Sequence, residues 1–203
     1  MTWSPQQEQA LKAVADWLRS SPGRGSTPQV FRLFGYAGTG KTTLAREFAA
    51  GLDGQVLFAA FTGKAAHVMQ KKGCENASTI HSLIYRLDDD QPSQQPRFVL
   101  NRESPVGGAA LVIIDECSMV DEALGRDLLS FRAPVLVLGD PAQLPPVKGA
   151  GFFTEHKPDV MLTEVHRQAE GSPIIRLATA VREGERIETG TFGSTRVIDR
   201  GDL

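Results

Sequence analysis

The segment Gly35-Tyr-Ala-Gly-Thr-Gly-Lys-Thr42 meets the residue spacing of a phosphate-binding loop. Glycines in such a loop let the backbone curl until consecutive N–H groups converge on one point, where they and a helix N-terminus attract an anion. Gly35, Ala37, Gly38, Thr39, Gly40 and Thr43 form the cradle and its exit, and Lys41 is placed to reach the β and γ oxygens of a bound triphosphate. Thr42 offers its hydroxyl to a metal, so ATP and Mg²⁺ are the expected ligands. The competing reading is a chance glycine turn. The complete spacing, set between an apolar run and a helical pattern, weighs against it.

Two further polar groups end apolar runs. Asp115 and Glu116 follow Leu111-Val-Ile-Ile114, and in an open α/β sheet the carboxyl ends of strands face the ligand. Asp115 is expected to hold the metal and Glu116 to polarise the attacking water. A second carboxylate directly after the first points to hydrolysis; the alternative is a solvated acidic helix cap. Gly139-Asp-Pro-Ala-Gln143 follows a third apolar run and places a neutral amide, Gln143, where it can sense a γ-phosphate. By residue type alone, a loop glutamine is more often simply solvated.

The elements that must position these groups alternate between strand and helix. Ser4 to Arg19 reads as a capped helix with Pro5 in its first turn, Val30 to Phe34 as a strand and Thr42 to Leu52 as a helix. Val56 to Phe61 is a second strand, followed by a helix from about Lys64 to Lys72, and Ile80 to Leu87 reads as a short helix. Asp88 to Gly108 is polar, apart from an island at Arg97-Phe-Val-Leu100, and reads as a loop or an inserted hairpin. Leu111 to Ile114 and Val135 to Leu138 are uniformly apolar, as central parallel strands are, and a helix around Glu122 to Leu129 lies between them. Val160 to Leu162, Ile174 to Arg182 and Thr195 to Ile198 read as a strand, a helix and a strand. The alternation predicts an α/β protein with a doubly wound parallel sheet.

Among 203 residues, 41% are hydrophobic, enough for an ordinary core. A formal net charge of −2 gives no global basic field, so any nucleic-acid contact must be local. Cys74 and Cys117 stand alone, without the spacing of a disulfide framework or zinc site. The first residues lack the basic and apolar blocks of a signal peptide, and no apolar run approaches the roughly 18 residues that span a bilayer. A cytoplasmic protein without membrane partners is the expectation, nucleoid-associated or in a viral host's cytoplasm.

Six segments in order carry a closer resemblance. They are Gly35 to Thr43, Phe61-Thr-Gly-Lys-Ala-Ala66, Ser78-Thr-Ile-His-Ser82, Ile114-Asp-Glu-Cys-Ser-Met119, Gly139-Asp-Pro-Ala-Gln-Leu144 and Leu162-Thr-Glu-Val-His-Arg-Gln168. This arrangement resembles the first motor domain of superfamily 1 DNA helicases of the RecD and phage Dda type, from about Trp3 to Ile187. The resemblance implies a RecA-like P-loop NTPase fold and ATP-dependent 5′→3′ unwinding. It also implies that Gln7 reads adenine, although the family's usual leucine is Trp3 here, and that Arg167 is an arginine finger. Phe61, Thr62, Lys64, Thr79 and His81 match positions that contact single-stranded DNA. The insertion 88–108 matches a pin that splits the duplex at a single-strand/duplex junction, with Phe98 as its aromatic face. Read alone, Thr62 can be only a helix cap, His81 a satisfied buried histidine and Phe98 an anchor for the insertion, and Arg167 is more often an ordinary surface or salt-bridged arginine.

The same resemblance sets the expected domain plan. Residues 1–187 form motor domain 1A, and residues 188–203 begin a truncated following region. A second RecA-like domain, expected as partner, is absent from the sequence. Stepping along DNA needs two grips whose separation changes with nucleotide state, so the chain alone is expected to unwind little. Oligomeric state has no sequence signal. The alternative function is a nucleotide-gated DNA-binding or assembly module, against which Glu116 and Arg167 argue. A clamp-loader-like ATPase is opposed by the Phe61 and Ser78 segments.

Overall fold

The computed structural model describes residues 3–23, 27–88, 97–143, 151–164, 173–193 and 195–198. Helix α1 (Pro5–Arg19) begins in a capping box: Ser4 Oγ accepts the Gln7 N–H, and Gln7 Oε1 accepts the Ser4 N–H. Its buried stripe, Ala10, Val14 and Trp17, recurs every three or four residues and faces the sheet. Strand β1 (Val30–Gly35) then leads through the glycine loop into α2 (Lys41–Ala50).

Strands β2 (Val56–Ala60), β3 (Ser78–Thr79), β6 (Leu111–Asp115), β7 (Val135–Gly139) and β8 (Val160–Leu162) complete a six-stranded sheet in the order β3-β2-β6-β7-β1-β8. Every pairing in it is parallel. Uniformly apolar strands follow from burial on both faces. Leu111 and Ile113 of β6, with Leu136 and Leu138 of β7, pack against α1 and α2. Their neighbours Val112, Ile114, Val135 and Val137 pack on the other face against α4 (Ile80–Ile84) and α5 (Glu122–Leu129). Helix α3 (Gly63–Lys71) closes a smaller cluster of Ala60, Ala65, Ala66, Met69, Cys74 and Ala77. The expected α/β fold, with helices on both faces of a parallel sheet, is therefore the observed one.

Three local expectations change. Ile80 to Leu87 is not one helix, because α4 stops at Ile84 and the chain extends into β4 (Tyr85–Leu87). Ile80, Leu83, Ile84 and Leu87 do fall at helical spacing. Leu87, however, pairs across an antiparallel ladder with Phe98 of β5 (Phe98–Leu100), and cross-strand pairing overrides the stripe. The inserted hairpin accordingly starts at Tyr85, three residues before the expected boundary, and residues 89–96 lie outside the described set. The expected insertion also runs too far: Pro105–Gly108 is a 3-10 turn whose Val106 is fully buried in the main core. Finally, β10 (Thr195–Val197) pairs with β9 (Gly190–Phe192), a strand the sequence did not mark. The turn of this hairpin lies against the start of α6 (Pro173–Glu183): a Cβ on Gly193 would come within 2.8 Å of Pro173 Cγ.

Candidate nucleotide site and the adjoining strand-end surface

All the groups singled out for phosphate chemistry and described in the structure stand at the carboxyl ends of three neighbouring strands. β7 lies between β1, which carries the glycine loop, and β6, which carries the carboxylates. With neighbouring strands about 4.8 Å apart, β1 and β6 stand about 10 Å apart, room enough for a phosphate and a water between them. Gln143, just beyond the end of β7, enters that gap from the middle.

Gly38 and Gly40 take φ of +83° and +81°, the left-handed region that residues with a Cβ adopt only with strain. Gly35 has a different reason. A Cβ there would sit 2.8 Å from Leu162 Cβ and 2.9 Å from the Leu162 carbonyl, so the loop's first residue is pressed against β8. Thr39 Oγ1 donates to the Tyr36 carbonyl at 2.8 Å, closing the turn from inside. Lys41 Nζ donates to the carbonyls of Gly35 and Tyr36 at 2.5 and 3.0 Å. Burial pushes the Lys41 ammonium below its ordinary range, and the carboxylates of Asp140 and Asp115 oppose that shift.

Thr42 Oγ1 donates to Asp115 Oδ2 at 2.8 Å, and the Glu116 N–H donates to Asp115 Oδ1 at 2.9 Å. Hydroxyl and carboxylate side by side are a hard-oxygen donor pair, which suits Mg²⁺. Glu116 is exposed and stands at φ +53°, ψ +48°, a left-handed conformation unusual for a non-glycine residue. Behind it Cys117 is fully buried, and burial drives its thiol up to about 12. Such a thiol is packing, not a nucleophile.

Asp140 shapes the third wall. Its carboxylate accepts the Ala142 N–H at 2.9 Å, and its carbonyl accepts the Gln143 N–H at 3.0 Å. Gln143 Oε1 accepts from Ser118 Oγ at 3.2 Å. Residues Ala37, Gly38, Gly40, Lys41, Thr42, Thr43, Asp115, Glu116 and Gln143 line one cavity of about 350 Å³, joined by Lys72. Two larger hollows, between α1 and α2 and between α6 and β9, lack its converging loop amides and carboxylate pair.

Gln7 lies behind the loop instead of in the cavity. It is 3% exposed, and its Nε2 donates to the Thr39 carbonyl at 3.1 Å. The helix cap and the glycine loop are thereby tied together. Arg167 lies outside the described residues.

Five of the expected DNA-contact residues, Phe61, Thr62, Lys64, Thr79 and His81, gather at the adjoining ends of β2 and β3. Thr62 caps α3, its hydroxyl accepting the Ala65 N–H at 3.1 Å, and Thr79 caps α4 in the same way through Ser82 N–H. Lys64 is exposed in the first turn of α3. Phe61, His81 and Tyr85 form a ladder of rings with centroids 5.9 and 5.8 Å apart. Phe98 is 66% exposed on the hairpin beside Leu87, outside that ladder.

Some participants carry no sequence signal. Gln6 Oε1 accepts the N–H groups of Thr163 and Glu164, and its Nε2 donates to Thr163 Oγ1, so α1 is clamped to the exit of β8. Tyr85 Oη donates to Asp127 Oδ2 at 2.5 Å, which fastens the root of the hairpin to α5. Lys72 lines the cavity, and its carbonyl accepts from Arg46 Nη1 at 2.7 Å. Ser118 reaches Gln143 across 25 residues of sequence.

A glycine loop on β1 and a carboxylate pair on β6, separated in space by the strand that carries a polar amide, make this a P-loop nucleoside-triphosphatase domain of the RecA-like kind. The chain belongs to the AAA domain family, which it matches over residues 3–201. It is 35% identical over 163 residues to the ATP-dependent RecD2 DNA helicase of Deinococcus radiodurans, a match covering 75% of this chain and 22% of that protein. The chain thus spans about a fifth of the curated relative's length. Among solved structures it is similar to Pif1 helicase from Bacteroides in complex with ADP-AlF3 and single-stranded DNA, with TM-score 0.61 and 23% identity over 92% of this chain and 48% of that one. It is also similar to Pif1 helicase from Candida albicans, with TM-score 0.59 and 22% identity over 93% of this chain and 45% of that one. At these identities the two structures speak for the fold. Among the described residues no helix is long and apolar enough to cross a membrane.

Proposed function

We propose that this chain is the first motor domain of an ATP-dependent DNA helicase, which binds and hydrolyses ATP with Mg²⁺ and grips single-stranded DNA. The observation that carries the reading is one register. Ala60 of β2 stands opposite Asp115 of β6, so Phe61 and Thr62 begin where the catalytic carboxylates begin, one strand over. A shift of the carboxylate strand end on hydrolysis is passed directly to the strand end that faces DNA.

In this reading Lys41 and the loop amides hold the β and γ phosphates, and Glu116 takes the proton of the attacking water. Thr42 and Asp115 would hold Mg²⁺, which would supply charge neutralisation. Gln7 reads adenine through an amide that must first leave its present partners. Arg167 stabilises charge on the transferring phosphoryl group. Phe61, Thr62, Lys64, Thr79 and His81 track the strand, and Phe98 on the hairpin meets the last base pair of a junction. Translocation runs 5′→3′, and a second RecA-like domain supplies the opposite wall of the ATP site. The length of the RecD2 relative supports that second domain. Residues 188–203 belong to the region that follows the motor domain, and the protein acts in the cytoplasm, associated with the nucleoid or in a viral host.

The test is steady-state ATPase with and without single-stranded DNA, on this chain and on the full gene product. Stimulation by DNA that disappears in Phe61→Ala and His81→Ala supports the reading. ATP turnover indifferent to DNA at every concentration overturns it in favour of a nucleotide-gated module.

A further inference from the structure

We infer that Ser118 is a positioning residue that sets which end of the Gln143 amide faces the γ-phosphate. The inference rests on the reading of Gln143 as the phosphate-sensing residue and adds the group that gives it a direction.

A glutamine amide has an acceptor end and a donor end of nearly equal size, and only the donor end attracts a phosphate oxygen. Turned the wrong way, Gln143 presents a partial negative charge to the γ-phosphate. In the structure the acceptor end of the amide faces Ser118. Its hydroxyl donates to Gln143 Oε1 at 3.2 Å, which leaves Nε2 to serve the cavity that Gln143 lines with Lys41, Thr42 and Glu116. Ser118 is itself well fixed. It is 3% exposed and sits in the 3-10 turn Cys117–Met119 directly after Glu116. Gly151 lies against its backbone, for a Cβ there would come within 2.6 Å of the Ser118 carbonyl. Asp140 fixes the Gln143 backbone from the other side through the Ala142 and Gln143 N–H groups. With the backbone held, the side-chain torsions of Gln143 remain, and the bond from Ser118 holds the amide in this orientation. The same bond joins the turn after the water-polarising Glu116 to the loop that senses the phosphate, so the two report on one another.

The experiment compares, by titration calorimetry with Mg²⁺, the affinity of the chain for ADP and for an ATP analogue with a non-hydrolysable β–γ bridge. Ser118→Ala is expected to weaken analogue binding about tenfold while ADP binding stays within twofold, and Ser118→Thr, which keeps the hydroxyl, to restore it. Gln143→Glu tests the same idea at an exposed position where folding is not at stake. It retains an oxygen for Ser118 but replaces the donor end by an acceptor, and is expected to lose the analogue preference. The double variant Ser118→Ala/Gln143→Ala should bind no more weakly than Gln143→Ala alone. Additive losses, parallel loss of ADP and analogue in Ser118→Ala, or full analogue affinity in Ser118→Ala while Gln143→Ala is impaired, each overturn the role of Ser118. Full analogue affinity in Gln143→Ala overturns the phosphate-sensing reading itself, and the inference with it.

Discussion

Thr42 and Asp115 lie 73 residues apart in the chain and share a 2.8 Å hydrogen bond from hydroxyl to carboxylate. The bond crosses from the first turn of α2 to the end of β6. It brings the two expected metal-holding groups together before any ion is considered. Asp115→Asn keeps the volume and a hydrogen-bonding oxygen but removes the charge. Turnover is expected to fall about a hundredfold, the lower range for groups acting on transition-state charge. Nucleotide affinity measured in EDTA should change little. Comparable loss with and without Mg²⁺ would show that Asp115 acts on the fold of the loop instead.

Glu116→Gln tests the water-polarising role separately. Glu116 is exposed and its carboxylate supports no other described side chain, so the fold should melt as before. ATP binding is expected to persist while turnover drops 10²-fold or more, the usual scale for a removed general base. Single-turnover measurements check this, and unchanged turnover removes Glu116 from the reaction.

The ring ladder makes a graded prediction for DNA. Aromatic–base stacking contributes about 1–3 kcal/mol per base, so Phe61→Ala and His81→Ala should each weaken single-stranded DNA binding about tenfold. ATP affinity should not follow, because neither residue lines the nucleotide cavity. Fluorescence anisotropy with labelled oligonucleotides reads both effects, and equal losses in ATP and DNA affinity would speak for a folding defect.

Tyr85 gives a pH signature. Burial, then the hydrogen bond to Asp127 and that residue's negative charge, push the Tyr85 hydroxyl up to about 12 from 10. Because the folded value stands above the unfolded one, the protonated hydroxyl favours the fold fully below about pH 10. That contribution fades as pH climbs toward about 12. Tyr85→Phe should cost about 1 kcal/mol at neutral pH, the usual net worth of such a bond. Its gap to the parent protein in thermal melts should narrow above pH 10. A gap that widens with alkalinity contradicts the assignment.

What the sequence disclosed was local or periodic. The glycines at 38 and 40 announce their own backbone geometry, and the apolar run before Asp115 announces a strand buried on both faces. Contacts that join distant segments through a single side chain leave no such trace. Gln6 meets Thr163 across 157 residues, and nothing in either neighbourhood marks the pairing. β3 is two residues long, too short for any period to register. At Ile80 to Leu87 the helical stripe was real, yet the pairing of Leu87 with Phe98 depends on a partner further along the sequence, past a run rich in Pro, Gln and Asp.

The left-handed backbone at Glu116 bears on how freely this site can be improved. A side chain in that conformation costs about 1–2 kcal/mol relative to its ordinary regions, whereas glycine adopts it without steric strain, at an entropic cost of about 0.5–1 kcal/mol. Glu116→Gly should therefore yield a protein that withstands heat as well as the parent or better, yet has lost turnover. At this residue selection for durability and selection for catalysis pull in opposite directions.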